Sequence, residues 1–136
     1  MNAGFLAARV LDLVKNGDFQ IAILDCSAAC HMPDVIEMPY TPPLICAVTE
    51  EDGNHPIRYR LAGPTCLSGD VIGDYYFSKP LQIGDLLVFG DMAIYTTCKN
   101  NTFNGMPLPN IWAAKADGQL KQLTDFGYQD FKMRLG

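Results

Sequence analysis

The sequence is short of charge: only 18% of its 136 residues are Asp, Glu, Lys or Arg, and 15 acids against 10 bases leave a net charge of -5. A chain without basic surplus is not built to neutralise phosphates, which argues against nucleic acid or an anionic membrane as its main partner. Long apolar runs are missing as well. Arg9, Asp12 and Lys15 interrupt the best candidate, well short of the roughly 18 residues that a membrane span needs. The first residues lack a basic leader before an apolar core, so no secretory signal is expected. Five cysteines make an odd count, which fits a reducing compartment better than a disulfide framework. Together these features predict a soluble, cytoplasmic chain.

Several chemical signatures are also missing. There is no Ser/His/Asp order, no phosphate-cradling glycine loop and no zinc-peptidase helix. Cys26, Cys30 and His31 lie close together, but structural zinc commonly takes a second Cys/His pair and none follows, so no metal is expected. Cys26, Cys46 and Cys98 read as buried, inert thiols.

What is present is apolar and finely punctuated. Hydrophobic residues make up 49% of the chain, enough to bury a core and too many for intrinsic disorder. Short apolar runs occur at Ile21–Leu24, Leu44–Val48, Ile57–Leu61, Leu86–Phe89 and Ile111–Ala114, each bounded by Gly, Pro, Asn or Asp. That is strand and turn chemistry. Glu51-Asp52-Gly53-Asn54 reads as a hairpin turn, and Ala116-Asp117-Gly118 as another before Gln119–Leu123. The expectation is one mainly β domain over residues 1–136, an antiparallel barrel or sandwich with short helices. Phe5–Val14 fits two readings. Its composition favours a helix, while alternation sets Phe5, Ala7, Leu11 and Leu13 on one face of a strand. Tyr128–Leu135, after Gly127, predicts a short terminal helix.

Three polar stretches carry candidate chemistry. Gly63-Pro64-Thr65-Cys66-Leu67-Ser68-Gly69-Asp70 reads as an exposed loop that brings a thiol near a carboxylate. The stretch from Asp91 to Gly105 is dense in Thr and Asn and holds Tyr95 and Phe103, which suits an anion or a planar ligand. Leu24-Asp25 closes an apolar strand, and His31 offers an acid or base. Each also has a plain structural explanation: a surface turn, a capped turn and a hydrogen-bonded core histidine.

Taken together, the stretches resemble the C-terminal part of the carboxynorspermidine (carboxyspermidine) decarboxylases, pyridoxal-phosphate (PLP) enzymes of the alanine-racemase fold type, kin to ornithine and diaminopimelate decarboxylases. Cys30-His31-Met32-Pro33-Asp34-Val35-Ile36-Glu37-Met38-Pro39-Tyr40 is the most specific segment. Cys66 to Tyr75 and Thr102 to Pro109 follow it closely. The resemblance implies a two-domain enzyme, in which an N-terminal (β/α)8 barrel holds PLP on a lysine and a C-terminal β-domain follows. It also implies a homodimer with active sites shared between subunits, acting on a carboxylated polyamine. Under it, Cys66 is the proton donor in the partner's site and Asp70 binds a substrate amine. Asp25 is placed on the same amine, Tyr95 on the PLP phosphate and Phe103 along the cleft. Cys66 and Asp70 are expected to project from one rim, with Asp25, Tyr95 and Phe103 lining the chain's own cleft.

Two departures from the pattern stand out. Ile94 occupies the place of a histidine, and no lysine lies in a PLP-anchoring context. The chain is therefore expected to be a fragment, a split-gene product or a separately folded C-terminal domain, acting as a homodimer or with a complementing barrel fragment. The resemblance also implies that Phe5–Val14 is a strand. A non-catalytic module that binds a polyamine or a partner is the competing expectation.

Overall fold

The computed structural model describes residues 4–136 as a curled six-stranded sheet, a separate two-stranded hairpin and four short helices. The strands of the sheet are β1 (Phe5–Asn16), β2 (Phe19–Leu24), β3 (Ala47–Val48), β4 (Ile57–Ala62), β5 (Val71–Phe77) and β6 (Leu86–Gly90). Their spatial order is β3-β5-β4-β2-β1-β6. The chain is thus mainly β, and Phe5–Val14 lies in an extended strand. The described residues contain no (β/α)8 barrel and no helix long and apolar enough to cross a membrane.

Strand β1 serves two neighbours. Its first half pairs with β6 and its second half with β2, and the register shifts between Val10 and Asp12. Ala8 and Val10 are buried while Phe5, Ala7, Arg9 and Leu11 face outward. The inward face is therefore the opposite of the one alternation suggested. The shift around Leu11 resets the parity so that Leu13, half-buried, packs against the core, as an extra residue in a ladder does.

The sheet is mixed rather than wholly antiparallel, because β2 and β4 run parallel. A parallel pair needs a crossover connection. Here it contains α1 (Ala28–His31), α2 (Asp34–Glu37) and β3. The Asp52 turn holds an Asp52–His55 bridge, yet the strands flanking it do not pair, since β5 lies between β3 and β4. Strands also occupy fewer than half of the residues from Phe5 to Leu123, with loops and short helices making up the rest. The segment before β3 ties the sheet's two edges together. Leu44 bridges Phe89, Ile45 N donates to Val88 O at 3.0 Å, and Gly90 N donates to Pro43 O at 2.8 Å.

Inside the curl sit Val10, Leu24, Leu61, Ile72, Tyr75 and Phe89, each at most 2% exposed. Tyr75 and Phe89 meet edge-on at 6.3 Å, and the Tyr75 hydroxyl donates to Pro42 O at 2.7 Å, so the one polar atom of this buried ring is satisfied. Beyond the sheet come α3 (Tyr95–Cys98), the hairpin of β7 (Ile111–Ala114) and β8 (Leu120–Thr124), and α4 (Tyr128–Leu135). The terminal helix spans the predicted residues.

Candidate functional site

The three polar stretches converge on α1. Ser27 caps this helix by accepting from Cys30 N at 3.1 Å, and its hydroxyl donates to Asp70 Oδ1 at 2.9 Å. Ala29 N also reaches Asp70 Oδ1, at 3.2 Å. The other oxygen, Oδ2, accepts from Thr65 Oγ1 at 2.6 Å and from Thr65 N at 3.3 Å. At the far end of α1, Asn101 Nδ2 donates to Ala29 O at 2.8 Å, and Asn101 N donates to Cys30 O at 3.0 Å. One four-residue helix thus anchors both the cysteine loop and the Tyr95–Pro107 segment.

This arrangement corrects the placement of Asp70. Its side chain does not project from a rim: it is 3% exposed, with both oxygens taken by the chain's own donors. A carboxylate so satisfied presents nothing to a ligand amine. A buried charge persists only when hydrogen-bonded in this way. Gly63 makes room for it, since a Cβ at that position would overlap the carboxylate. Asp70 is a strut under the Cys66 loop.

Cys66 itself is exposed, in the bend between β4 and β5. Its thiol donates to Asn104 Oδ1 at 3.7 Å, a weak bond that brings it beside Phe103 of the same chain. Phe103 opens a 3-10 turn and is 45% exposed. Tyr95 is 62% exposed at the start of α3. Ile94 precedes it with φ 64° and ψ -105°, a strained conformation for a β-branched residue. Below it, Lys99 Nζ bonds Asp34 Oδ1 at 2.5 Å and Glu37 Oε2 at 2.7 Å, and lies 5.3 Å from the Tyr95 ring centre. That ion cluster docks α3 on α2, inside the stretch of sequence most specific to the resemblance.

Asp25 stands exposed at the end of β2. Its Oδ1 accepts from Arg9 N at 2.7 Å, and Oδ2 has no partner among the described residues. It opens on a cleft of about 710 Å³ between β1 and the β7–β8 hairpin, whose walls include Phe5, Ala7, Leu108, Trp112 and Leu120. Neither Tyr95 nor Phe103 belongs to these walls, contrary to expectation.

His31 is a buried structural residue. Ser27 N donates to its Nδ1 at 3.2 Å, and its Nε2 donates to Pro107 O at 2.9 Å, which fixes the neutral tautomer. Burial holds its proton affinity below the ordinary value, partly opposed by the Pro107 carbonyl and by Asp70 and Asp25. Burial also pushes the Cys26 and Cys30 thiols up. Cys46 and Cys98, read as buried from the sequence, are exposed. Ser27, Thr65, Asn101 and Asn104 escaped the sequence reading. Ser27 alone left a local signal, a serine just ahead of a short helix.

Fold and residues together define a class. Residues 2–93 match the family described as pyridoxal-dependent decarboxylase, C-terminal sheet domain, and the chain belongs to it. Among individual relatives, the chain is 45% identical to the carboxyaminopropylagmatine decarboxylase of Synechocystis sp., over 98% of this chain and 34% of that protein. It is 44% identical to the carboxynorspermidine/carboxyspermidine decarboxylase of Campylobacter jejuni, over 96% of this chain and 36% of the relative. The crystal structure of carboxynorspermidine decarboxylase complexed with norspermidine, from the same organism, superposes with a TM-score of 0.89 at 42% identity, covering 96% of this chain and 38% of that one. The chain therefore spans about a third of the length of these relatives.

Proposed function

We propose that this chain acts as the C-terminal sheet domain of a cytoplasmic PLP-dependent decarboxylase that converts a carboxylated polyamine, carboxynorspermidine or carboxyspermidine, to the corresponding polyamine. The observation that carries the reading is the likeness to such decarboxylases across nearly the whole chain, the Cys66 loop included. A dimer whose second subunit, or a complementing fragment, supplies a (β/α)8 barrel completes the site.

The residues present fit one part of PLP binding and not another. The exposed Tyr95 hydroxyl, at the start of α3, suits a phosphate contact. No lysine suits the covalent anchor: Lys99 is held by Asp34 and Glu37, and Lys15, Lys79, Lys115, Lys121 and Lys132 lie exposed on the surface. When bound, PLP supplies the electron sink for the pair left behind as carbon dioxide departs. This chain's own residues do the rest. Cys66 holds a proton on Sγ, delivers it to the carbon that lost the carboxylate, and is reprotonated from water. Asp25 receives a substrate ammonium on Oδ2. Phe103 walls off water beside Cys66. Asp70 acts through its grip on Thr65 and Ser27, which sets the position of the Cys66 loop.

The test supplies a barrel half in trans and measures turnover. Cys66→Ala should lower kcat by about 100-fold or more, the usual worth of a placed proton donor, with little change in KM. Turnover within a factor of two of the parent would remove the proton-donor role.

A further inference from the structure

The Phe103–Gly105 turn is tied to the body of the domain more firmly than a surface turn requires. Asn101 Oδ1 accepts from Phe103 N at 3.0 Å, while Asn101 Nδ2 and N donate to Ala29 O at 2.8 Å and to Cys30 O at 3.0 Å. The Cys30 thiol donates to Phe103 O at 3.6 Å. Gly105 N and Met106 N close the turn on Thr102 O and Phe103 O, at 2.9 and 3.1 Å. The turn therefore rides on α1, the helix that also carries the Ser27 and Ala29 bonds to Asp70. At its apex stands Asn104, with φ 57° and ψ 19°, whose Oδ1 is the acceptor for the Cys66 thiol at 3.7 Å. That backbone lies in the left-handed region, which Asn and Asp enter more readily than other residues with a side chain. Of glycine, aspartate and asparagine, the residues suited to it, glycine has no acceptor and aspartate would set a negative charge against the sulfur. Asparagine alone meets both demands.

We propose that Asn104 is a positioning residue for Cys66, holding the protonated thiol in one rotamer until its proton is transferred. An exposed cysteine otherwise divides its time among three staggered χ1 wells. A bond to a fixed oxygen selects one of them, and misplacing a reacting group is costly in rate. An oxygen acceptor also engages sulfur only while the thiol carries its proton, so the bond selects the form with a proton to give. Because a thiol is a weak donor, the bond gives way at little cost when the proton turns toward the reacting carbon. Asp70 and Asn104 thus do different things through the two ends of α1. Asp70 fixes the loop's backbone by way of Thr65, and Asn104 fixes the thiol itself. The proposal deepens the reading above and rests on it for the part that Cys66 plays in the reaction.

The experiment alkylates the full chain, without PLP or barrel, with iodoacetamide at neutral pH, and follows each thiol separately by peptide mass spectrometry. Cys46 and Cys98, the other exposed thiols, serve as internal standards. Asn104→Gly deletes the amide and suits the left-handed backbone, so it should fold with a denaturation midpoint close to the parent's. It should speed alkylation of Cys66 about threefold, because the attacking thiolate no longer forms at the expense of the bond to Oδ1. Asn104→Asp keeps an oxygen acceptor and should slow the same reaction about threefold or more, since a carboxylate opposes the thiolate. Cys46 and Cys98 should react at the parent rate in both variants. A parent rate at Cys66 in both folded variants, or a change shared by all three thiols, would overturn the proposal. With a barrel half supplied, Asn104→Gly should lower kcat about three- to tenfold and leave KM within about a factor of two. Parent kcat in that variant, where Cys66→Ala abolishes turnover, would overturn it as well. If Cys66→Ala instead leaves turnover intact, the proton-donor reading falls, while the alkylation rates still decide whether Asn104 holds the thiol.

Discussion

The sheet and the segment beyond it are built on different terms. Every residue of the hydrophobic core lies between Ala8 and Met92, whereas β7, β8 and α4 bury none of theirs. Trp112, Leu120, Leu123, Tyr128, Met133 and Leu135 all remain more than half exposed. The first region is held by apolar burial; the second is held by a few directed bonds, such as His31 to Pro107 and Phe126 N to Asn110 Oδ1 at 2.8 Å. The contrast means that a substitution's cost depends on which side of Met92 it falls.

The largest effect belongs to the core. Phe89→Ala removes a fully buried ring that packs on Tyr75, and should cost about 3–5 kcal/mol in chemical denaturation. A cost below about 1 kcal/mol would mean that the curl repacks freely and that the contrast is overstated. Next comes the carboxylate beneath the Cys66 loop. Asp70→Ala strands the Ser27 and Thr65 hydroxyls and the Ala29 amide, for about 2–3 kcal/mol. Alkylation of Cys66 should also become faster in that variant, as its loop loosens. An unchanged alkylation rate would separate Asp70 from the thiol.

A third prediction uses acidity. His31 is held neutral, so its proton affinity is lower folded than unfolded. The unfolded chain therefore takes up the proton first as pH falls below about 6.5. The His31 contribution is complete above that pH and declines below it, toward the lowered folded value. Denaturation midpoints at about pH 7.5 and pH 5.5 should differ in favour of the higher pH. Equal midpoints would contradict a neutral, doubly bonded His31. The smallest effect belongs to the hairpin: Leu123→Ala should shift stability by no more than about 0.5 kcal/mol, because the side chain is already 57% exposed. A larger loss would reveal packing beyond this chain, such as self-association.

What the sequence disclosed follows the range of the forces involved. Local chemistry was readable. Gly127 ahead of Tyr128–Leu135 marked the terminal helix, and bounded apolar runs marked β2, β4, β6 and β7. Strand β5 was harder, because Gly73 and Asp74 interrupt its apolar pattern while its neighbours in space supply the ladder. The parallel β2–β4 pair was hidden for the same reason, since its crossover leaves no local trace. Asp70 shows the limit most sharply. Two glycines and a proline around it read as a surface loop, but the partners that bury it, Ser27 and Ala29, lie 43 and 41 positions away. The convergence of the polar stretches on α1 likewise depends on contacts that no single window contains.

The strap formed by residues 43–48 has a consequence for how the domain behaves in a crowd. An open curled sheet leaves two rows of unsatisfied amides and carbonyls, which invite strands from other molecules. Here one short piece of chain covers part of each row, bridging Phe89 on one side and pairing with Tyr76 and Phe77 of β5 on the other. Pro42 and Pro43 lead into it, and proline withholds the donor that a foreign strand would need. The strap thus shields part of each edge, and loosening it would bare the amides and carbonyls of β6 and of the end of β5 to strands from other molecules.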